Sequence, residues 1–232
     1  MNSDLIIEKH SVHLWQVFVP DLLAQLQDFF TILNQDEKER AMRFRFEEHS
    51  QRFIIARGVL RCILSRYTAI PAEKIEFITN ARGKPYLKNN LSVQFNVSHS
   101  HDWAVYALTK EAEIGVDIEK IETHFTEGVA RKFFSPEEYT RLMNLSEEEK
   151  IPAFYRLWAG KEAVIKALGE GLYAPLAEFS LDLFQKVQTL KLEKSQMYVE
   201  YFEAHPDYQS AFATSQEIKN RVFREWGKTN SL

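Results

Sequence analysis

A pattern returns along this chain at a fixed offset, and that repeat constrains the fold more than any single segment. A shift of 104 residues carries Arg57 onto Lys161, Val59 and Leu60 onto Ala163 and Val164, Leu64 onto Leu168, and Pro71 onto Pro175. The same shift carries Val93, Phe95 and Val97 onto Met197, Val199 and Tyr201, and the turn His101-Asp-Trp nearly returns as His205-Pro-Asp-Tyr. Helix, proline and strand recur in one order, the signature of a repeated unit. The repeat predicts an α+β protein of two similar, pseudo-symmetric α+β halves, 1–108 and 109–220, with 221–232 as a tail pinned by Phe223 and Trp226. Such a pair has a seam, and ligands often bind at domain interfaces.

Local patterns fill in the halves. His13 to Val19 alternates as a strand that Pro20 stops, and apolar spacing predicts helices over 21–33 and, more charged, over 35–46. Ser50 is the expected N-cap of an amphipathic helix through Tyr67. Strands are expected over 74–79, 93–97, 103–109 and 114–119, with a turn-rich loop, Asn80-Ala-Arg-Gly-Lys-Pro85, between the first two.

The densest chemistry lies between Ile114 and Lys166. On a strand alternate side chains share a face, so Asp117 and Glu119 point together and Ile118 points away. Leu157, Trp158, Val164, Ile165 and Leu168 suit a helix that sets Glu162 and Lys166 four apart on one face, with Lys161 beside them. If that helix crosses the strand, three carboxylates converge. Such a cluster needs protons or a cation, and oxygen-only ligation suits Mg²⁺, which retains waters and phosphate oxygens.

Composition narrows the rest. The chain has 232 residues, 45% of them apolar, and a net charge of −4 with mixed signs, which suits a large core and disfavours general nucleic-acid binding. Cys62 is the only cysteine, which excludes an intrachain disulfide and a thiolate zinc site. The first twenty residues mix charges and histidines among apolar residues, unlike a signal or transit sequence, and no apolar run reaches the roughly 18 residues of a membrane span. A cytoplasmic protein is expected.

Several motifs also have purely structural readings. Ser135-Pro136-Glu137-Glu138 is a capping box, so Glu138 needs no further role. Glu162 with Lys166 is also an ordinary helical ion pair. His99 and His101 flank a turn, a poor zinc signal. Gly83-Lys84 lacks the phosphate-loop spacing of nucleotide-binding enzymes, although Gly83 can take positive φ and present backbone N–H groups.

In combination these pieces resemble the 4′-phosphopantetheinyl transferases of the double-length, surfactin-activating (Sfp) type. Six blocks carry the resemblance: Glu37-Lys-Glu-Arg-Ala-Met-Arg-Phe44, Arg82-Gly-Lys-Pro85, Phe95-Asn-Val-Ser-His99, Ile114-Gly-Val-Asp-Ile-Glu119, Phe133-Phe-Ser-Pro-Glu-Glu138 and Trp158-Ala-Gly-Lys-Glu-Ala-Val-Ile-Lys166. The resemblance implies transfer of phosphopantetheine from coenzyme A to a serine of an apo acyl or peptidyl carrier protein, releasing adenosine 3′,5′-bisphosphate. It implies Asp117, Glu119 and Glu162 as Mg²⁺ ligands and Lys161 and Lys166 near the pyrophosphate. Arg40 and His99 fall where the family meets the nucleotide end, with Arg52 adding charge. The loop Thr79 to Lys84, including Arg82 and Gly83, and the run Asn96 to His99, including Ser98, fall where it holds adenine and ribose. Gly160 departs from the pattern, which has bulkier residues there, and so bears on the start of its helix.

Glu162, Lys166 and, through water, Glu138 are the candidate bases for the serine proton. Phe125, Val129, Arg131, Lys132 and Phe133 are candidates to meet an acidic, partly apolar carrier helix, or else Val129 and Phe133 are core. Two other classes use the same residues: an Mg²⁺-dependent nucleotide or phosphate-ester hydrolase, and a non-catalytic carrier-binding module. Because one chain contains both sides of the seam, a monomer is expected.

Overall fold

A computed structural model describes residues 5–89, 92–171, 175–193 and 195–227. The first half opens with strand β1 (Ser11–Phe18) and a 3-10 turn over Val19–Gln25, then helices α1 (Leu26–Ile32), α2 (Gln35–Met42) and α3 (Glu47–Thr68). Short strands β2 (Phe77–Thr79) and β3 (Pro85–Leu87) form a ribbon, followed by the hairpin β4 (Val93–Ser100) and β5 (Trp103–Lys110). The second half begins at β6 (Ile114–Lys120) and continues with α4 (Glu127–Phe133), α5 (Pro136–Met143) and α6 (Glu147–Leu168). Strands β7 (Val187–Lys191), β8 (Gln196–Phe202), β9 (Tyr208–Thr214) and β10 (Asn220–Glu225) complete it.

The expected α+β fold of two similar halves is the fold observed. One four-stranded sheet runs β10-β1-β5-β4 and the other β6-β9-β8-β7, so β1, β5 and β4 have β6, β9 and β8 as counterparts. Strand alternation divides the burial. Trp15 and Val17 of β1 face α3, whereas Val12 and Leu14 face the other sheet. In β6, Ile114, Val116 and Ile118 join that inter-sheet core, which leaves Gly115, Asp117 and Glu119 toward α6. Apolar side chains between the two sheets therefore hold the halves together.

Three expectations change. Residues 220–225 are no tail: β10 pairs in parallel with β1, and Trp226 is buried against Trp15 with ring centroids 6.0 Å apart. Phe223, expected to pin that segment, stays exposed beside Phe202. Helix α3 starts three residues before Ser50, whose hydroxyl instead donates to the Ala41 carbonyl at 2.8 Å, because Glu47 and Glu48 already complement the dipole of the first turn. The segment expected as one helix over 21–33 splits into the 3-10 turn and α1.

The repeat also has finer registration than one offset. Helices α3 and α6 both have 22 residues and end in left-handed caps at Ala69 and Gly169. Arg61, not Arg57, is thus the counterpart of Lys161, and the sequence from Gly169 to Pro175 is longer than that from Ala69 to Pro71, which restores the offset by Pro175. Both counterparts are fully buried cations with matched partners. Arg61 bonds the carbonyls of Ala72 and Ile75 at 2.9 Å and pairs with Glu37 at 2.7 Å. Lys161 bonds the carbonyls of Leu176 and Phe179 at 2.6 and 2.8 Å and pairs with Glu138 at 2.8 Å. Glu37 and Glu138 each close a capping box, on α2 with Asn34 and on α5 with Ser135.

Candidate active site

Gly115 is where β6 meets α6. A Cβ there would lie 2.0 Å from the Ala163 carbonyl oxygen and 2.3 Å from the Ala167 nitrogen, so only glycine permits the approach. The two elements run past each other from this point, and Asp117 reaches Lys166 while Glu119 reaches Trp158. The Lys166 ammonium donates to Asp117 Oδ1 at 2.5 Å and to Ser98 Oγ at 2.9 Å, and the Trp158 indole donates to Glu119 Oε1 at 3.2 Å. Glu162 lies one helical turn before Lys166 on the same face.

Strand β4 supplies the opposite wall through every second side chain. The Val116 N–H donates to Asn96 Oδ1 at 3.0 Å, Ser98 Oγ donates to Asp117 Oδ1 at 2.7 Å, and Ser100 Oγ donates to Glu119 Oε2 at 3.3 Å. The Lys120 N–H donates to Ser100 Oγ at 3.1 Å. Side chains of the first half thus satisfy the edge of β6 that β9 leaves open. Asn96 and Ser98, expected along a nucleotide, already support this seam.

The electrostatics show an anionic site short of positive charge. Burial, with Asp117 adding, pushes the Glu119 carboxyl up to about 7. Burial also raises Glu162, against the attraction of Lys166, with Asp117 adding. Asp117 is buried, and its Oδ2 has no hydrogen-bond partner. A buried carboxylate oxygen without a partner is costly. Oxygen donors of this kind fit Mg²⁺. Among the described residues no three His, Cys, Asp or Glu side chains are arranged around a common metal position. Lys166 instead occupies Asp117 Oδ1.

His99 keeps an exposed edge, yet the protein packed around its ring lowers its pKa, and Lys166 and Arg40 add to the lowering. The Arg40 guanidinium stacks 5.0 Å over the Phe53 ring. Arg52 pairs with Asp102 at 2.9 Å. Thr79, Arg82 and Gly83 are exposed on the β2–β3 turn, with Gly83 at φ +89°.

Three expected site residues are placed elsewhere. Lys161 is fully buried on the far side of α6, and two carbonyls and Glu138 use all three of its N–H donors, so none remains for a pyrophosphate. Glu138 is equally committed. Its Oε1 accepts from the Leu181 N–H at 2.7 Å, and its Oε2 accepts from the Ser135 N–H at 2.7 Å and from Lys161. A carboxylate so enclosed reaches no serine proton. Lys84 is buried too, donating to Glu113 and to the Ala167 carbonyl.

Gly160 does not interrupt its helix, because α6 is continuous through it. The space a larger side chain would take is filled by Tyr201, whose hydroxyl lies 2.3 Å from a Cβ built there. Phe125 stacks on Phe154 at 4.7 Å and Phe133 meets Trp158 edge-on, so the apolar members of the expected docking segment are half-buried. Arg131 pairs with Glu127, and Lys132 is exposed. A cleft of about 270 Å³ between Glu119, Phe125, Val129, Tyr155 and Trp158 opens beside the carboxylates. Sequence reasoning missed Ser100 and Trp158 as partners of Glu119. Their strand and helix spacing was the available signal.

The sequence matches a known family along most of the chain. Residues 113–219 match the profile described as the 4′-phosphopantetheinyl transferase superfamily, and residues 20–111 match the one described as 4′-phosphopantetheinyl transferase, N-terminal. The 4′-phosphopantetheinyl transferase HetI of Nostoc is 39% identical over 184 residues, covering 78% of this chain and 77% of that protein. The 4′-phosphopantetheinyl transferase Sfp of Bacillus subtilis is 33% identical over 186 residues, covering 79% and 82%. A human relative, L-aminoadipate-semialdehyde dehydrogenase-phosphopantetheinyl transferase, is 32% identical over 72% of this chain and 57% of its own. The chain belongs to the 4′-phosphopantetheinyl transferases and is an enzyme.

Proposed function

We propose that this enzyme transfers 4′-phosphopantetheine from coenzyme A to a serine hydroxyl of an apo carrier protein, with Mg²⁺ held by Asp117, Glu119 and Glu162, releasing adenosine 3′,5′-bisphosphate. The observation that carries this reading is the partnerless Oδ2 of buried Asp117 beside two carboxyls with raised pKa, with Lys166 on its other oxygen. When bound, the metal would neutralise the pyrophosphate. The residues do the remaining work. Phosphoryl-type transfer needs positioning and charge stabilisation more than covalent help from the protein. Lys166 leaves Asp117 for the phosphate oxygens, a single-bond rotation of a flexible stem. Arg40 and His99 hold the nucleotide end, remote from the reacting phosphorus.

Glu162, whose pKa burial raises, takes the serine proton, since Glu138 is enclosed. The carrier approaches over the cleft beside Glu119, where Phe125, Val129 and the exposed Lys132 offer apolar and basic contacts. The enzyme works as a monomer in the cytoplasm, one chain supplying both walls of the site. No helix of the described residues is long and apolar enough to cross a membrane. The test is an intact-mass spectrum of an apo carrier protein incubated with enzyme, coenzyme A and Mg²⁺. A phosphopantetheine adduct is expected; coenzyme A cleaved with the carrier unmodified would indicate a hydrolase.

A further inference from the structure

The β2–β3 turn belongs to the first half, yet it is fastened to the second. The Asn80 amide donates to the Gly169 carbonyl at 2.9 Å, and the Lys84 ammonium donates to the Ala167 carbonyl at 2.8 Å and pairs with Glu113 at 2.7 Å. Ala167 and Gly169 end α6, whose earlier turns carry Glu162 and Lys166. Glu113 precedes β6, which carries Asp117 and Glu119. Gly169, at φ +71°, leaves no room for a larger residue, since a Cβ there would lie 2.8 Å from the Asn80 amide nitrogen and 3.1 Å from Lys84 Cδ. Asn80 Oδ1 meanwhile accepts from the N–H groups of Arg82 and Lys84 at 2.9 and 3.0 Å, which fixes the shape of the turn. Last-turn carbonyls of a helix attract cations, so Lys84 acts as a cap for α6 supplied from the other half.

From these contacts we infer that Lys84, with Asn80 and Glu113, is a latch that sets the distance between the β2–β3 turn, which the resemblance assigns to the nucleotide end of coenzyme A, and the carboxylates that would hold the metal at its pyrophosphate. Lys84 is a positioning residue that acts through Asn80, Glu113 and the end of α6 without touching coenzyme A. The inference rests on the proposed transferase reading. The counterpart helix α3 ends in Ala69, where the N–H is bonded only within its own half to the Ser65 carbonyl. The end of α3 meets the later chain differently, with the Arg66 guanidinium 4.4 Å over the Trp226 ring.

The test compares Lys84→Met, which keeps the stem packed against Gly169, with Glu113→Ala at the half-exposed rim, and with the double variant. Coenzyme A affinity is measured by calorimetry, and KM for coenzyme A and for the carrier by initial rates. Misplacing binding groups by a fraction of an ångström to an ångström costs on the order of tenfold to a hundredfold. Both single variants should weaken coenzyme A binding and raise its KM by about tenfold while KM for the carrier holds, and the double variant should be no worse than Lys84→Met. Loss in Lys84→Met with wild-type affinity in Glu113→Ala would mean that Lys84 touches coenzyme A directly and would overturn the latch. Unchanged affinity in both variants would overturn it as well. If the wild-type enzyme binds coenzyme A but modifies no carrier, the transferase reading fails, and the calorimetric comparison still decides the latch.

Discussion

Asp117, Glu119 and Glu162 are like charges on two crossing elements, and the free protein relieves their repulsion through Lys166 and through retained protons. The consequence for stability follows from sign. Burial and Asp117 lift Glu119 from 4.5 to about 7, so between those values the folded state binds more protons than the unfolded one. Its contribution is fully present below 4.5 and is lost as pH rises through about 7. Thermal denaturation of metal-free protein at pH 5 and pH 8 should show this loss, and Glu119→Gln should lessen it; an unchanged difference between the two pH values would assign the slope to other groups. Lys161 shows why neighbours in sequence mislead. Successive helical residues project about 100° apart, so Lys161 and Glu162 face opposite environments. Lys161→Met should destabilise by about 3–5 kcal/mol because it leaves Glu138 charged and buried. Adding Glu138→Gln removes the uncompensated charge and should recover part of that loss in urea denaturation, whereas a wild-type midpoint for Lys161→Met would refute the pairing.

Element packing converts the sequence pattern into a site. Alternation along β6 was legible, as was the helical face shared by Glu162 and Lys166, because each depends only on local period. The crossing that joins them was not legible, because it depends on the absence of a side chain at Gly115 and on the approach of α6. Gly115→Ala places its methyl group against helix backbone, which cannot rotate away, and overpacking of this kind costs about 1–3 kcal/mol or more. Transfer should fall further than stability, since the displacement separates Asp117 from Glu162 and Lys166. Thermal melts with kcat/KM on one preparation check this; full activity would show that the contact adapts. The capping box of α5 was readable from Ser135 to Glu138, but the buried lysine that completes the same carboxylate was not. Long-range partners have no local period.

On the scale of the whole molecule, the halves are joined by apolar faces, by β4 side chains on β6, by the latch at Lys84 and by β10. The repeat disclosed two halves but not β10, whose polar alternation read as a tail because its pairing partner, β1, lies at the other end of the chain. Deleting residues from 220 onward removes that edge strand and uncovers Trp15, so the truncated protein should melt lower and show red-shifted tryptophan emission; an unchanged melt would make β10 dispensable. Such large-scale packing exists to bring one seam into register. The central claim, that this seam moves phosphopantetheine and that Asp117 is essential to it, is tested most directly by intact-mass spectrometry of an apo carrier protein incubated with coenzyme A, Mg²⁺ and either wild-type enzyme or Asp117→Ala. The expected result is a carrier fully shifted by one phosphopantetheine with the wild type and unshifted with a folded Asp117→Ala variant, whereas equal modification by both enzymes would contradict the account.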